Sequence, residues 1–202
     1  MQSENVSSAD NQQERLRIEG WLVGFTDGEG AFTVSILKNS TSKNGWQVFP
    51  EFIITQGARS KDALYLFKDF FGCGNVYLNR RHNNHNEDLY RYCVRSIRDL
   101  QNVIIPFFTQ TSLRSDKKKD FAIFCQVMAM IKNREHLKVS GLFKIAALAM
   151  RMNRKVRPKF LESPLTIRRA SAGSEEEIVA SAWRHAGIGS QGRTVQNSQK
   201  CE

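Results

Sequence analysis

The chain has few cysteines, and their spacing fits neither a disulfide framework nor a metal knuckle. Cys73, Cys93, Cys125 and Cys201 contain no C-x-x-C pair and read as reduced, packed thiols of an intracellular protein. No apolar run reaches the ~18 residues needed to span a bilayer, so no membrane-spanning helix is expected. Met1 to Gln13 is polar and lacks both Arg and an apolar stretch, so neither a signal nor a transit peptide is expected. Histidine is equally sparse. His82-Asn83-Asn84-His85 invites a zinc reading or that of a His-Asn-His nuclease, but no further ligands stand at suitable spacing.

Positive charge is abundant. The formal net charge is +10 and the pI about 9.7. The excess is not in a tail: residues 20–157 hold 22 Lys/Arg against 11 Asp/Glu. A basic folded region implies a polyanionic partner, most often nucleic acid, although ribosomal or acidic-membrane partners fit the same figure. With 202 residues, 41% of them hydrophobic, the chain can bury one ordinary core.

Residues 1–13 read as a disordered leader, and 14–157 as one domain. Leu16, Ile18, Trp21, Leu22 and Phe25 fit a helix over Glu14–Asp27. Ala31–Leu37 alternates as a half-buried strand, and Gln47–Thr55 follows as a second beyond a polar loop. Asp62–Phe71 predicts an amphipathic helix stopped by Gly72. Asn75–Asn79 and Leu89–Arg95 read as two more strands around the polar loop Arg80–Asp88. A helix near Ile97–Ile104 is expected to end before Pro106, with further helices over Asp116–Ile131 and Ser140–Met152. The class is α+β, in the order helix-strand-strand-helix-strand-strand-helix. Its four-stranded antiparallel sheet has one face backed by helices and the other free for polar and basic residues. Residues 158–202, rich in Ser, Gly and Gln, read as a flexible tail with a weak helix at Glu175–Trp183.

The chemistry concentrates in Gly20-Trp21-Leu22-Val23-Gly24-Phe25-Thr26-Asp27-Gly28-Glu29-Gly30. Glycines every four residues form one bare helical stripe. Each costs about 1 kcal/mol relative to Ala, which is tolerable if another backbone approaches along it. The helix would end at Gly28, where free carbonyls meet the Glu29 carboxylate, an oxygen set suited to a hard dication. Two copies packed along the stripe, with Gly20, Trp21, Gly24 and Gly28 at the interface, would bring two such sites together. The plainer alternative makes Gly28-Glu29-Gly30 a helix stop and tight turn. A phosphate-binding loop is disfavoured, because the glycines follow a helix and precede a strand, the reverse of a dinucleotide fingerprint.

Leu22 to Gly30 resembles the signature of the LAGLIDADG homing endonucleases, in the branch with one motif per chain. The similarity extends through Phe52-Ile53-Ile54-Thr55-Gln56, Leu113 with Lys117-Lys118-Lys119-Asp120-Phe121, Glu135-His136-Leu137, Gly141-Leu142-Phe143-Lys144-Ile145 and Met152-Asn153, covering about residues 14–157. The resemblance implies a homodimeric, site-specific DNA endonuclease that requires Mg²⁺ and is encoded within an intron. Glu29 falls on the last acidic position, as the metal ligand together with the Gly28 carbonyl, and it is Glu where many members have Asp. Asp27 matches the first acidic position and is read as structural, holding the helix end. Gln56 matches the residue that orients water, and Lys117 the lysine that supports the transition state. Arg59 and Lys61 bracket the place of a further basic residue, which Ser60 occupies.

DNA readout is expected from the outward strand residues Thr33, Ser35, Lys38, Asn39, Gln47, Asn75, Tyr77, Asn79, Arg80 and Arg81. Arg91 and Arg95 join them, although Cys93 shares their face. A two-fold dimer implies a pseudo-palindromic duplex site with half-sites about one turn, ~10 base pairs, apart. His82 to His85 then reads as a polar loop against DNA. An intron-RNA splicing factor or a DNA-binding regulator on the same scaffold would keep the basic sheet without needing Glu29. A ribosome-associated basic protein would need neither glycine stripe nor dimer. The location implied is a bacterial cytoplasm or an organelle.

Overall fold

The computed structural model describes residues 3–80, 88–152 and 159–162. The first helix, α1 (Ser3–Glu29), begins far earlier than the expected Glu14 and turns most of the predicted leader into helix. No Gly or Pro interrupts residues 3–19, and Glu14–Arg17 and Arg15–Glu19 pair along the exposed side. The helix ends one residue later than predicted, at Glu29. Strand β1 (Gly30–Lys38) leaves at once, so tightly that a Cβ on Gly30 would meet the Thr26 carbonyl at 2.9 Å.

β2 (Trp46–Gly57), a 3-10 turn (Ala58–Ser60) and α2 (Lys61–Phe71) follow. Gly72 closes α2 in the left-handed conformation (φ 61°), its N–H donating to the Lys68 carbonyl. β3 (Asn75–Asn79) and β4 (Leu89–Val94) complete one antiparallel sheet in the order β1-β2-β4-β3. Phe32, Ile36, Val48, Phe52, Ile54, Tyr92 and Val94 alternate onto the helix-covered face and are buried. Phe32 stacks on Phe52 at 5.1 Å and meets Phe108, Phe121 and Phe124 from the helices.

Pro106 does not stop the third helical segment. α3 (Ile97–Asp99) passes through a π-helical turn (Leu100–Ile104) directly into α4 (Ile105–Thr111). Pro106 stands in the first turn of α4, a position that tolerates its missing N–H. α5 (Lys117–Lys132), a 3-10 turn (Glu135–Leu137) and α6 (Val139–Met150) close the helical layer. Gly141 is required here: a Cβ would lie 2.0 Å from the Glu135 carbonyl oxygen.

The boundary at 157 falls short. A final 3-10 turn (Lys159–Glu162) buries Phe160 and Leu161, with the Phe160 ring edge-on to Trp46 at 5.4 Å and to Phe143 at 5.0 Å. Two apolar residues in a polar tail gave no periodic signal for this return. The predicted helix at 175–183 lies outside the described residues. Cys73, Cys93 and Cys125 are free thiols, and no described helix is long and apolar enough to cross a membrane.

Candidate active site and outward sheet face

Glu29, the last residue of α1, is exposed, as is Gly28 before it. The Lys117 ammonium, at the first residue of α5, lies 3.5 Å from the Gly28 carbonyl oxygen and donates to that of Gly30. Burial lowers the Lys117 pKa, and the charges of Asp27, Glu29 and Asp120 act against that shift. A cation is thus already drawn to the carbonyl-rich helix end.

Asp27 explains how Lys117 gets there. Its carboxylate accepts from the Arg114 N–H (2.7 Å), the Ser115 N–H (3.2 Å) and the Ser115 hydroxyl (2.8 Å). The Ser115 hydroxyl oxygen in turn accepts from the Lys117 N–H. Asp27 is structural, as expected, but what it holds is the loop that launches α5. Burial alone would raise its pKa; the hydrogen bonds from Arg114 and Ser115 and the Lys117 charge outweigh that and hold the carboxyl below its ordinary value. The tie therefore contributes stability above the unfolded-state pKa and loses it as pH falls through the lower folded-state value. Asp27→Asn is expected to lower stability at neutral pH and to flatten the acid limb. Thermal melts between about pH 5 and pH 2 would read this; an unchanged limb would remove Asp27 from the account.

Gln56 lies two residues beyond Ile54, which pairs with Gly30, so the register carries it level with the end of α1. It is half-buried and shares the face of Ile54 and Phe52. Arg59 and Lys61 are exposed just past β2, with Lys61 Nζ 5.9 Å from the Tyr90 ring centroid.

The glycine stripe is open. Added Cβ atoms at Gly20, Gly24 and Gly28 would meet nothing within 4 Å, and Leu16 continues the same four-residue spacing with 60% of its surface exposed. Trp21 beside the stripe is 40% exposed, its ring packed against Phe25 and Phe67.

On the other face of the sheet, alternation turns Thr33, Ser35, Gln47, Asn75, Tyr77, Asn79 and Arg91 outward. Lys38 does not follow. It falls on the parity of Ile36, and its ammonium sits over the Trp46 ring at 6.0 Å, while Leu37 takes the outward place. Asn39 is engaged inside the hairpin. Its Oδ1 accepts from the Thr41 N–H and hydroxyl, and its Nδ2 donates to Gln47 Oε1 at 2.9 Å. Gln47 is left presenting its NH₂. Arg80 is exposed just beyond β3, whereas Arg81 and the loop His82 to His85 lie outside the described residues. Cys93 is buried, but Arg95 on its side reaches solvent and binds Glu51. Glu51 was missed because a charged residue between Pro50 and Phe52 gives no signal of a partner 44 positions away.

The chain thus combines an α+β sheet with an exposed carboxylate at a helix end and an open glycine stripe. The LAGLIDADG endonuclease family model matches residues 22–128, and the chain belongs to that family. It is 32% identical over 140 residues to "Probable intron-encoded endonuclease 3" of Neurospora crassa, covering 68% of this chain and 25% of that one. The chain spans about a quarter of the length of the first fungal relatives it matches. Among solved structures, the homing endonuclease I-TnaI is similar at TM-score 0.61 and 33% identity, over 83% of this chain and 97% of that one. The LAGLIDADG homing endonuclease I-LtrWI, bound to target DNA, is similar at TM-score 0.65 and 34% identity, over 72% of this chain and 47% of that one.

Proposed function

We propose that this chain is a sequence-specific, Mg²⁺-dependent DNA endonuclease that acts as a homodimer, its reading frame borne by an intron in a bacterium or an organelle. The observation that carries this reading is the exposed Glu29 carboxylate beside an open glycine stripe, with Lys117 held against the neighbouring carbonyls. The donor set fits a hard dication: one carboxylate and the Gly28 carbonyl, at the negative end of α1. Among the described residues no three His, Cys, Asp or Glu gather as a metal cluster, so one copy offers only part of a shell. A second copy's Glu29 and phosphate oxygens would supply the rest.

A cation bound there would offset charge on the scissile phosphate and lower the pKa of the attacking water. Glu29 and the Gly28 carbonyl would hold it at the helix end. Gln56 orients the water through its amide, and Lys117 offsets the charge that develops on phosphorus oxygens. The outward sheet face lies in the major groove of the duplex. Two copies about one axis address both strands of a pseudo-palindrome.

The test uses the purified full chain and a duplex carrying the intron-less exon junction. Double-strand cleavage at the junction in Mg²⁺, abolished by EDTA, is expected. Tight binding of duplex without cutting would return the regulator reading, and preferential retention of precursor RNA would return the splicing factor.

A further inference from the structure

Glu51 is an odd residue to find on a face that must meet a polyanion. It is 8% exposed, in the middle of the outward side of β2, where it pairs across the ladder with Thr33. A buried carboxylate there weakens attraction to any duplex and costs desolvation besides. Its partner is Arg95, whose Nε donates to Glu51 Oε1 at 2.6 Å. The guanidinium is also flanked by two rings, its central carbon 5.7 Å from the Phe49 centroid and 5.4 Å from that of Tyr77. Phe49 is on β2 and Tyr77 on β3, with β4 between them, so the side chain is held across the sheet. Beneath lie Ile53 and Cys93, a cross-strand pair buried on this face and not part of the main core.

A long, flexible cation has therefore been fixed in one pose. Nε is engaged by Glu51 and the guanidinium also hydrogen-bonds the Cys93 sulfur, so it is the remaining N–H groups of the fork that can be offered. Guanidinium has no acceptor. In the major groove guanine presents two acceptors, O6 and N7, whereas adenine replaces one of them with the N6 donor. We infer that Arg95 reads a guanine in each half-site and that Glu51 is the positioning residue that aims it, trading duplex affinity for discrimination. The inference rests on the DNA-endonuclease reading above and adds to it a residue with a defined role and a defined base.

Selection from a duplex library with randomised half-sites, at fixed salt, tests this with wild type, Arg95→Lys and Glu51→Gln. Wild type is expected to enrich guanine at one base pair per half-site by roughly tenfold. Arg95→Lys should erase that preference while the other positions keep theirs. Glu51→Gln should weaken it several-fold while binding to unrelated duplex rises, because a negative charge has left the face. A merely structural role for Glu51 would lower both together, and that result would overturn the proposal. So would Arg95→Lys weakening all sequences equally with a shallower salt slope, the mark of a phosphate contact. Should Glu51→Gln not fold, the Arg95→Lys profile still decides whether guanine is read. If wild type enriches no duplex at all, the underlying DNA reading fails, an outcome distinct from a selected site without the guanine.

Discussion

Glu29→Gln is expected to abolish strand cleavage, by at least ~10²–10³-fold in single-turnover rate, while the protein folds and binds duplex as before. The side chain is exposed at the end of α1, so an isosteric amide removes charge without disturbing the core. Stability should stay within about 0.5 kcal/mol of wild type. Binding measured by mobility shift should hold or tighten slightly, since one negative charge per copy is gone. Lys117 would remain against the Gly28 and Gly30 carbonyls, so the loss would be assignable to the carboxylate. Cleavage within a few-fold of wild type would remove Glu29 from the chemistry and with it the proposed centre.

The second large effect has opposite signs in two measurements on one variant. Within a single copy, Gly24→Leu meets no atom within 4 Å of the new Cβ and relieves a helix-interior glycine, worth about 1 kcal/mol. At concentrations where wild type is also monomeric, the variant should melt no lower than wild type. Yet if two copies close along Gly20, Gly24 and Gly28, a branched side chain at the centre of the stripe keeps the helices apart. Sedimentation should then report a monomer, and double-strand cleavage should fall by roughly a hundredfold or more, as misplaced catalytic groups do. A dimer that persists with full activity would mean that the stripe serves something else.

The elements whose side chains repeat were legible in the sequence. β1 and β2 showed their alternation, and α2 its amphipathic face and glycine stop. The glycine spacing in α1 also held as an open surface. Features set by distant partners were not legible. Helix from Ser3 replaced an expected leader because nothing in 3–19 breaks it. Pro106 was accommodated by a π-helical turn, which has no sequence period of its own. Asp27 was rightly taken as structural, but the loop it grips lies 87 residues away. Readers read one at a time hid their couplings: Asn39 is bound to Gln47, and Arg95 to Glu51.

The return of the chain at Lys159–Glu162 bears on anyone wishing to join two copies into a single polypeptide. Phe160 acts as a clasp on Trp46, the residue that opens β2, and Leu161 is buried beside it in the chain. A connector grafted after Met152 would discard that clasp and loosen the start of β2. Splicing it beyond Leu161 keeps each half intact.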